Sequence, residues 1–303
     1  MRFLLRRALA ALLLVFAVTS GALLLAQLAP GDYATDIGKD PAQIAADRQR
    51  LGLDRPILEQ YTRWLRRTLI LDLGESFHYQ RPVTELVRDG AANTAVLATT
   101  ALIVATLLGI PWGVVTGTRS GAGARILRAL SLLLLSVPPL ISSLVLLTIA
   151  ARTGWLPVSG MGGISHLVVP TLSLALPIAA LLERLQSQSI AESMRRPSTA
   201  AARARGIPEA RIIWRHGWRQ SLAPVLAIYG VIVGTLFSGS FAVEIVTSWP
   251  GLGALMRQAL MSRDTYLVAG CAAAGAAFLA AGILAGDIAH AFADPRVTLE
   301  DGR

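Results

Sequence analysis

Apolar residues in this chain come in long unbroken stretches, with no alternating strand pattern. The runs cover 3–29 and roughly 94–116, 126–151, 167–183, 221–246 and 267–292. A helix needs about 20 apolar residues to cross the hydrocarbon of a bilayer, so each run predicts a transmembrane helix. The first run opens with Arg2, Arg6 and Arg7, as a signal peptide does. Its apolar part, Ala8 to Ala29, exceeds the roughly 7–15 residues of a signal core, which predicts an uncleaved helix over 1–29 ended by Pro30, Gly31 and Asp32. The 167–183 run is interrupted by Pro170 and Pro177. Proline is tolerated in a span where neighbouring helices cover the freed carbonyls.

Between the first two runs lies a polar insert, 30–93. Its stretch AQIAADRQRLGLDRPILEQYTRWLRRTLILDLG fits two short amphipathic helices broken at Pro56. The expected fold class is thus an all-α integral membrane protein: six spans, this helical insert, a core over 94–292, and a tail over 293–303.

Composition agrees. Charged residues make up 16% of the chain, against about a quarter in soluble domains. The net charge of +9 is almost all arginine, with Lys39 the only lysine. These arginines lie between apolar runs and not in a basic domain, so nucleic-acid binding is not expected. They orient the chain instead. With the N terminus inside, the short cytoplasmic segments carry 16 Lys+Arg and the short outer ones 3, while the long insert counts little. The expected product is a multi-pass protein of the cytoplasmic (inner) membrane with both termini cytoplasmic and the insert outside. A single cysteine, Cys271, excludes an intrachain disulfide. No two histidines have the spacing of a metal helix, and no metal site is expected.

The loop 184–220 reads RLQSQSIAESMRRPSTAAARARGIPEARIIWRHGWRQ. It predicts two short helices meeting at Gly206, which supplies a positive φ, with Pro208 at the first position of the second. Ala200, Ala201, Ala202 and Ala204 form a small-residue face suited to a partner's groove. An amphipathic helix lying on headgroups, with Arg203, Arg205, Arg211 and Arg215 outward, fits the same residues.

AAARARG followed by IPEARIIWRHGWRQSLAPV resembles the EAA-type cytoplasmic loop of bacterial ATP-binding-cassette importer permeases, especially the B-type permeases for dipeptides, oligopeptides and nickel. The resemblance continues in LAPGD (28–32), LGLDRP (51–56), DLGESF (72–77), GIPWGV (109–114), LPVSG (156–160), WPGLG (249–253), Arg263-Asp264 and DPR (294–296). It departs at Ala200, where the general motif is acidic, and at Pro197–Ala201, where the family usually has Asp-Tyr, an apolar residue, then Arg-Thr. The resemblance implies a type I importer permease fold, a second C-type permease, two cytoplasmic ATPases, an extracytoplasmic substrate-binding protein and an ATPase-coupling loop at Ala200, Ala201, Ala202, Arg203, Ala204, Arg205 and Gly206. The chain has no phosphate loop, since its lone lysine precedes Asp40. ATP and Mg are therefore expected on partner chains and no cofactor on this one.

Ionisable groups within spans are costly, which singles out Glu244 and Asp287. Both match acidic positions of the family. Gating or path lining competes with a hydrogen bond to a neighbouring helix end. Trp249, Pro250 and Gly251 form an outer turn, with Trp249 expected at headgroup depth, and serve either as part of a gate or dock or as a plain interfacial turn. Glu183 is expected to snorkel to the inner interface. Cargo is expected to be a peptide, with nickel or another small solute as the alternative. An intramembrane enzyme built on Ser238 or Ser240 would need a base in a matching outer span, and His290 lies at the other end. A non-transporting scaffold is the third class.

Overall fold

The structure, a computed structural model, describes residues 2–29, 31, 33–34 and 40–293, except for the side chains of 2–5, 47, 216, 238 and 287–293. The described residues are helical, apart from turns and one isolated bridge between Glu75 and Pro82. The helices are α1 (Arg2–Leu28), α2 (Pro41–Leu51), α3 (Ile57–Thr68), α4 (Val83–Thr118), α5 (Ala122–Ser136), α6 (Pro139–Thr153), α7 (Ile164–Met194), α8 (Pro197–Ala204), α9 (Glu209–Ile212), α10 (Trp218–Ala227), α11 (Tyr229–Thr247), α12 (Leu252–Met261) and α13 (Thr265–Ala293).

Among the described residues, five helices contain a stretch long and apolar enough to span a membrane: α1, α4, α7, α11 and α13. A sixth span exists only if α5 and α6 are taken together. The two helices meet at 106°, so the predicted continuous span 126–151 is broken. The cause is Pro138-Pro139. Each proline pushes its predecessor out of the α region, and Val137 and Pro138 are both extended, with ψ of 116° and 148°. By contrast, α7 runs unbroken through Pro170 and Pro177.

Contacts divide the chain into two units: residues 1–94 with 250–280, and residues 95–249 with 281–303. In the first unit Leu23 of α1, Trp64 of α3 and Ala269 of α13 form a buried cluster. Tyr61 donates a hydrogen bond to Ser20, 3.1 Å away. The α2–α3 break falls at Gly52, which ends α2 with φ +69°, while Pro56 caps α3. Asp264 is the other knot. It is fully buried and caps α13 by accepting from the Leu267 N–H at 3.1 Å. Its other carboxylate oxygen accepts from the Ser76 hydroxyl at 2.6 Å and the His78 N–H at 3.1 Å. The DLGESF and Arg263-Asp264 segments are thus two halves of one contact.

In the second unit α7 is the central helix, packed by α5, α6, α10 and α11. Leu97, Ala101, Ala105, Leu174, Ala179, Leu182, Ile232 and Leu236 belong to its core. The glycines of α4 set how closely it meets α7. A Cβ on Gly113 would lie 2.5 Å from Cβ of Gln186, and one on Gly117 would lie 2.5 Å from a methyl of Ile190. Only bare backbone fits there, the small-residue packing that membrane helices use.

Candidate functional site

The α7–α10 connection is built as a small folded piece. Pro197 opens α8, and the buried Thr199 donates its hydroxyl to the Ser193 carbonyl at 2.9 Å. Gly206 then takes φ +73°, the left-handed conformation expected for it. Nothing crowds the space its Cβ would take, so backbone conformation alone demands glycine. Pro208 precedes the next helix as its cap, one position earlier than expected. That helix does not end within the loop. It passes through a π-helical turn, Ile213–Gly217, into α10.

The alanines do not share one outward face. Ala202 is fully buried in a cluster with Val114, Ile190, Met194 and Ile212, and Ile207 and Trp218 pack against it. Ala200, Ala201 and Ala204 are exposed, as are Arg205, Arg211 and Arg215. Arg203 is not simply outward: its guanidinium donates to both carboxylate oxygens of Glu209, at 3.0 and 2.6 Å, and to the Met194 carbonyl at 3.3 Å. The Arg203 hydrogen bonds hold the Glu209 carboxyl below the usual carboxylate range and raise the guanidinium above its own. This pair clasps α8 to α9 across Gly206. The loop is therefore anchored to α7 and presents a small surface of alanine and arginine.

The second candidate group is only partly assembled. Glu244 is fully buried in α11, and its carbonyl accepts the Trp249 N–H at 2.9 Å. Trp249 is 4% exposed and belongs to the core with Leu97, Ala101 and Val243. The indole therefore packs against protein side chains of its own unit and presents little area to any surroundings. The left-handed residue of the turn is Ser248, φ +54°, and neither glycine has a positive φ. Gly251 caps α12 and Gly253 lies buried within it. Two residues that the sequence does not single out hold the 250–252 end of this turn. Asn93 donates to the Pro250 carbonyl at 2.8 Å, and the Thr94 hydroxyl accepts the Leu252 N–H at 2.8 Å. Their sole sequence signal is a polar pair at the edge of an apolar run. The Asp287 side chain lies outside the described residues.

Glu183 does not snorkel. It is 3% exposed and accepts a hydrogen bond from the Thr116 hydroxyl of α4. The helix periodicity turns it inward, and α4 supplies a donor that lipid cannot.

Residues 109–299 match the family described as binding-protein-dependent transport system inner membrane component, and residues 1–98 match its N-terminal family. Among curated relatives, the chain is 29% identical to the oligopeptide transport system permease protein AppB of Bacillus subtilis, over 97% of this chain and 98% of that one. It is 34% identical to the glutathione transport system permease protein GsiC of Pectobacterium atrosepticum over 80% of each. It is 30% identical to the dipeptide transport system permease protein DppB of Lactococcus lactis over 98% and 99%. The apolar helices and both matches place the chain in the family of binding-protein-dependent inner-membrane transport components, as a permease subunit of an ATP-binding-cassette importer and not an enzyme.

Proposed function

We propose that this permease carries peptides across the cytoplasmic membrane, with both termini inside and the α8–α9 loop as its contact with the ATPases. ATP and Mg act on those partner chains, and this chain carries no cofactor. A second, C-type permease completes the path, and an extracytoplasmic binding protein delivers cargo. Relatives named for oligopeptide, dipeptide and glutathione transport support a peptide cargo. The arginine asymmetry supports the orientation.

One observation carries the coupling reading: the loop is a folded extension of α7. Ala202 and Ile212 are buried against Ile190 and Met194 of that helix. A push on the exposed Ala200, Ala201 and Ala204 therefore reaches α7, which packs against α5, α6, α10 and α11. A helix merely resting on headgroups would not need this attachment.

Gly206→Val tests the reading. A β-branched residue at φ +73° costs roughly 1–3 kcal/mol, enough to swing α8 off its seat. The variant is expected at normal abundance in the membrane, with weak recovery of co-purifying ATPases and little uptake. Equal ATPase recovery with full uptake would refute the coupling assignment.

A further inference from the structure

Away from the loop, a cavity of about 380 Å³ opens between α4, α5 and α7. Its polar lining comes from Arg128, Ser131, Glu183, Arg184, Ser187 and Gln188. Leu132 and Leu135 of α5 supply apolar wall. Chain order fixes its level. Gly117 is in the last turn of α4, Arg128 lies early in α5, and Arg184 begins the last third of α7, toward the α8–α9 loop. The cavity therefore lies toward the helix ends on the loop side of the spans.

Two features mark it as a site. Ser131 is 3% exposed, yet its hydroxyl has no partner among the described residues. A helix serine normally satisfies itself on the carbonyl one turn back, as Ser136 and Ser173 do. Ser131 leaves its hydroxyl for something in the cavity. The charges are also arranged. The Thr116 hydroxyl occupies an oxygen of Glu183, and the Thr116 carbonyl accepts from Arg128. Arg184 has no ion pair among the described residues. The cavity thus offers an unpartnered hydroxyl and two guanidinium groups, one of them also bonded to the Thr116 carbonyl, against the single carboxylate of Glu183, one oxygen of which Thr116 holds. Beside it, Ile126, Leu132 and Leu133 of α5 are exposed. A polar niche with two cations toward the loop-side helix ends, continuous with an apolar helix face, matches a phospholipid: phosphate within, acyl chain along α5.

We propose that this cavity binds the phosphate headgroup of an anionic phospholipid from the leaflet on the loop side, held by Arg128, Arg184 and Ser131. This assignment is independent of the cargo and of the coupling reading.

The test uses the assembled importer in nanodiscs of phosphatidylcholine with a minor fraction of phosphatidylglycerol. Lipid retained through detergent extraction is counted by native mass spectrometry. Wild type is expected to retain phosphatidylglycerol over phosphatidylcholine. Arg184→Gln should weaken retention roughly 5-fold and Arg128→Gln with Arg184→Gln roughly 30-fold, while Arg184→Lys keeps most of it. Ser131→Leu, which fills the cavity without changing charge, should also lose the lipid. A millimolar excess of inorganic phosphate should leave the lipid bound, because the acyl chain contributes. Retention unchanged in the double variant and in Ser131→Leu, each still assembled with its partners, would overturn the proposal. So would displacement by phosphate alone, which indicates a free-anion site, or displacement by a tripeptide, which indicates a cargo cavity.

Discussion

At the scale of single residues, the glycines of α4 and the carboxylate of Asp264 make the sharpest demands. Gly113 faces Gln186 and the Glu183 carbonyl at distances that admit no Cβ. Gly113→Ala should therefore force α4 from α7 and destabilise the second unit by about 1–3 kcal/mol. Thermal unfolding of the detergent-purified complex checks this, and an unchanged midpoint would contradict it. Asp264→Ala removes the acceptor of two hydrogen bonds from the 72–80 segment and one from α13. The expected loss is about 1.5–3 kcal/mol per charged, buried contact set. It should appear as faster proteolysis between residues 70 and 82 with the spans still inserted. Neither role could be read from the sequence, because each depends on a partner far away in the chain. Gly206 could be read, since a positive φ between two short helices is a local requirement.

At the scale of elements, the α5–α6 break and the α8–α9 clasp carry the argument. Ser136 and Pro138 at the break are exposed in this chain. Irregular backbone at membrane depth persists only where it meets water or buried protein. Ser136→Cys and Leu140→Cys, in a Cys271→Ser background, should react with a membrane-impermeant thiol reagent in the transporting complex. Leu133→Cys on the apolar face should not. Equal reactivity at all three would contradict a break that meets water. The Pro-Pro pair was visible in the sequence as a local signal, but a run of apolar residues on either side disguised it as one span.

The clasp has a pH dependence with a defined sign. Arg203 depresses the Glu209 carboxyl, so the folded loop gains stability above the usual carboxylate range and loses it as pH falls through and below that range. Both side chains are about half exposed, and solvent screening limits the pair to a few tenths to about 1 kcal/mol. ATPase recovery should thus be flat from pH 8 to about pH 5 as far as this pair is concerned, and Glu209→Gln should lower it modestly at pH 7. A Glu209→Gln complex with undiminished ATPase recovery would show that the clasp does not shape the contact.

At the scale of the whole molecule, helix class and most of the apolar runs that become spans were legible because burial in lipid imposes long apolar runs on the sequence itself. The inward turn of Glu183 and the burial of Trp249 and Ala202 were not, because they depend on which face of a helix meets which neighbour. Orientation is argued from arginines in short loops. Reporter fusions after residue 60 should report outside and those after residue 205 inside, and the reverse pattern would contradict the topology. The central claim is that ATPases on separate chains drive this permease through the exposed alanines of α8. The most direct measurement uses Ala201→Cys, at an exposed position, in a Cys271→Ser background of the assembled importer in native membranes. A short cross-linker, thiol-reactive at one end and photoreactive at the other, should join this chain to an ATPase subunit on illumination, and Leu133→Cys, also at an exposed position, should give no such product. An Ala201→Cys variant that cross-links to no ATPase while uptake remains intact would contradict the account.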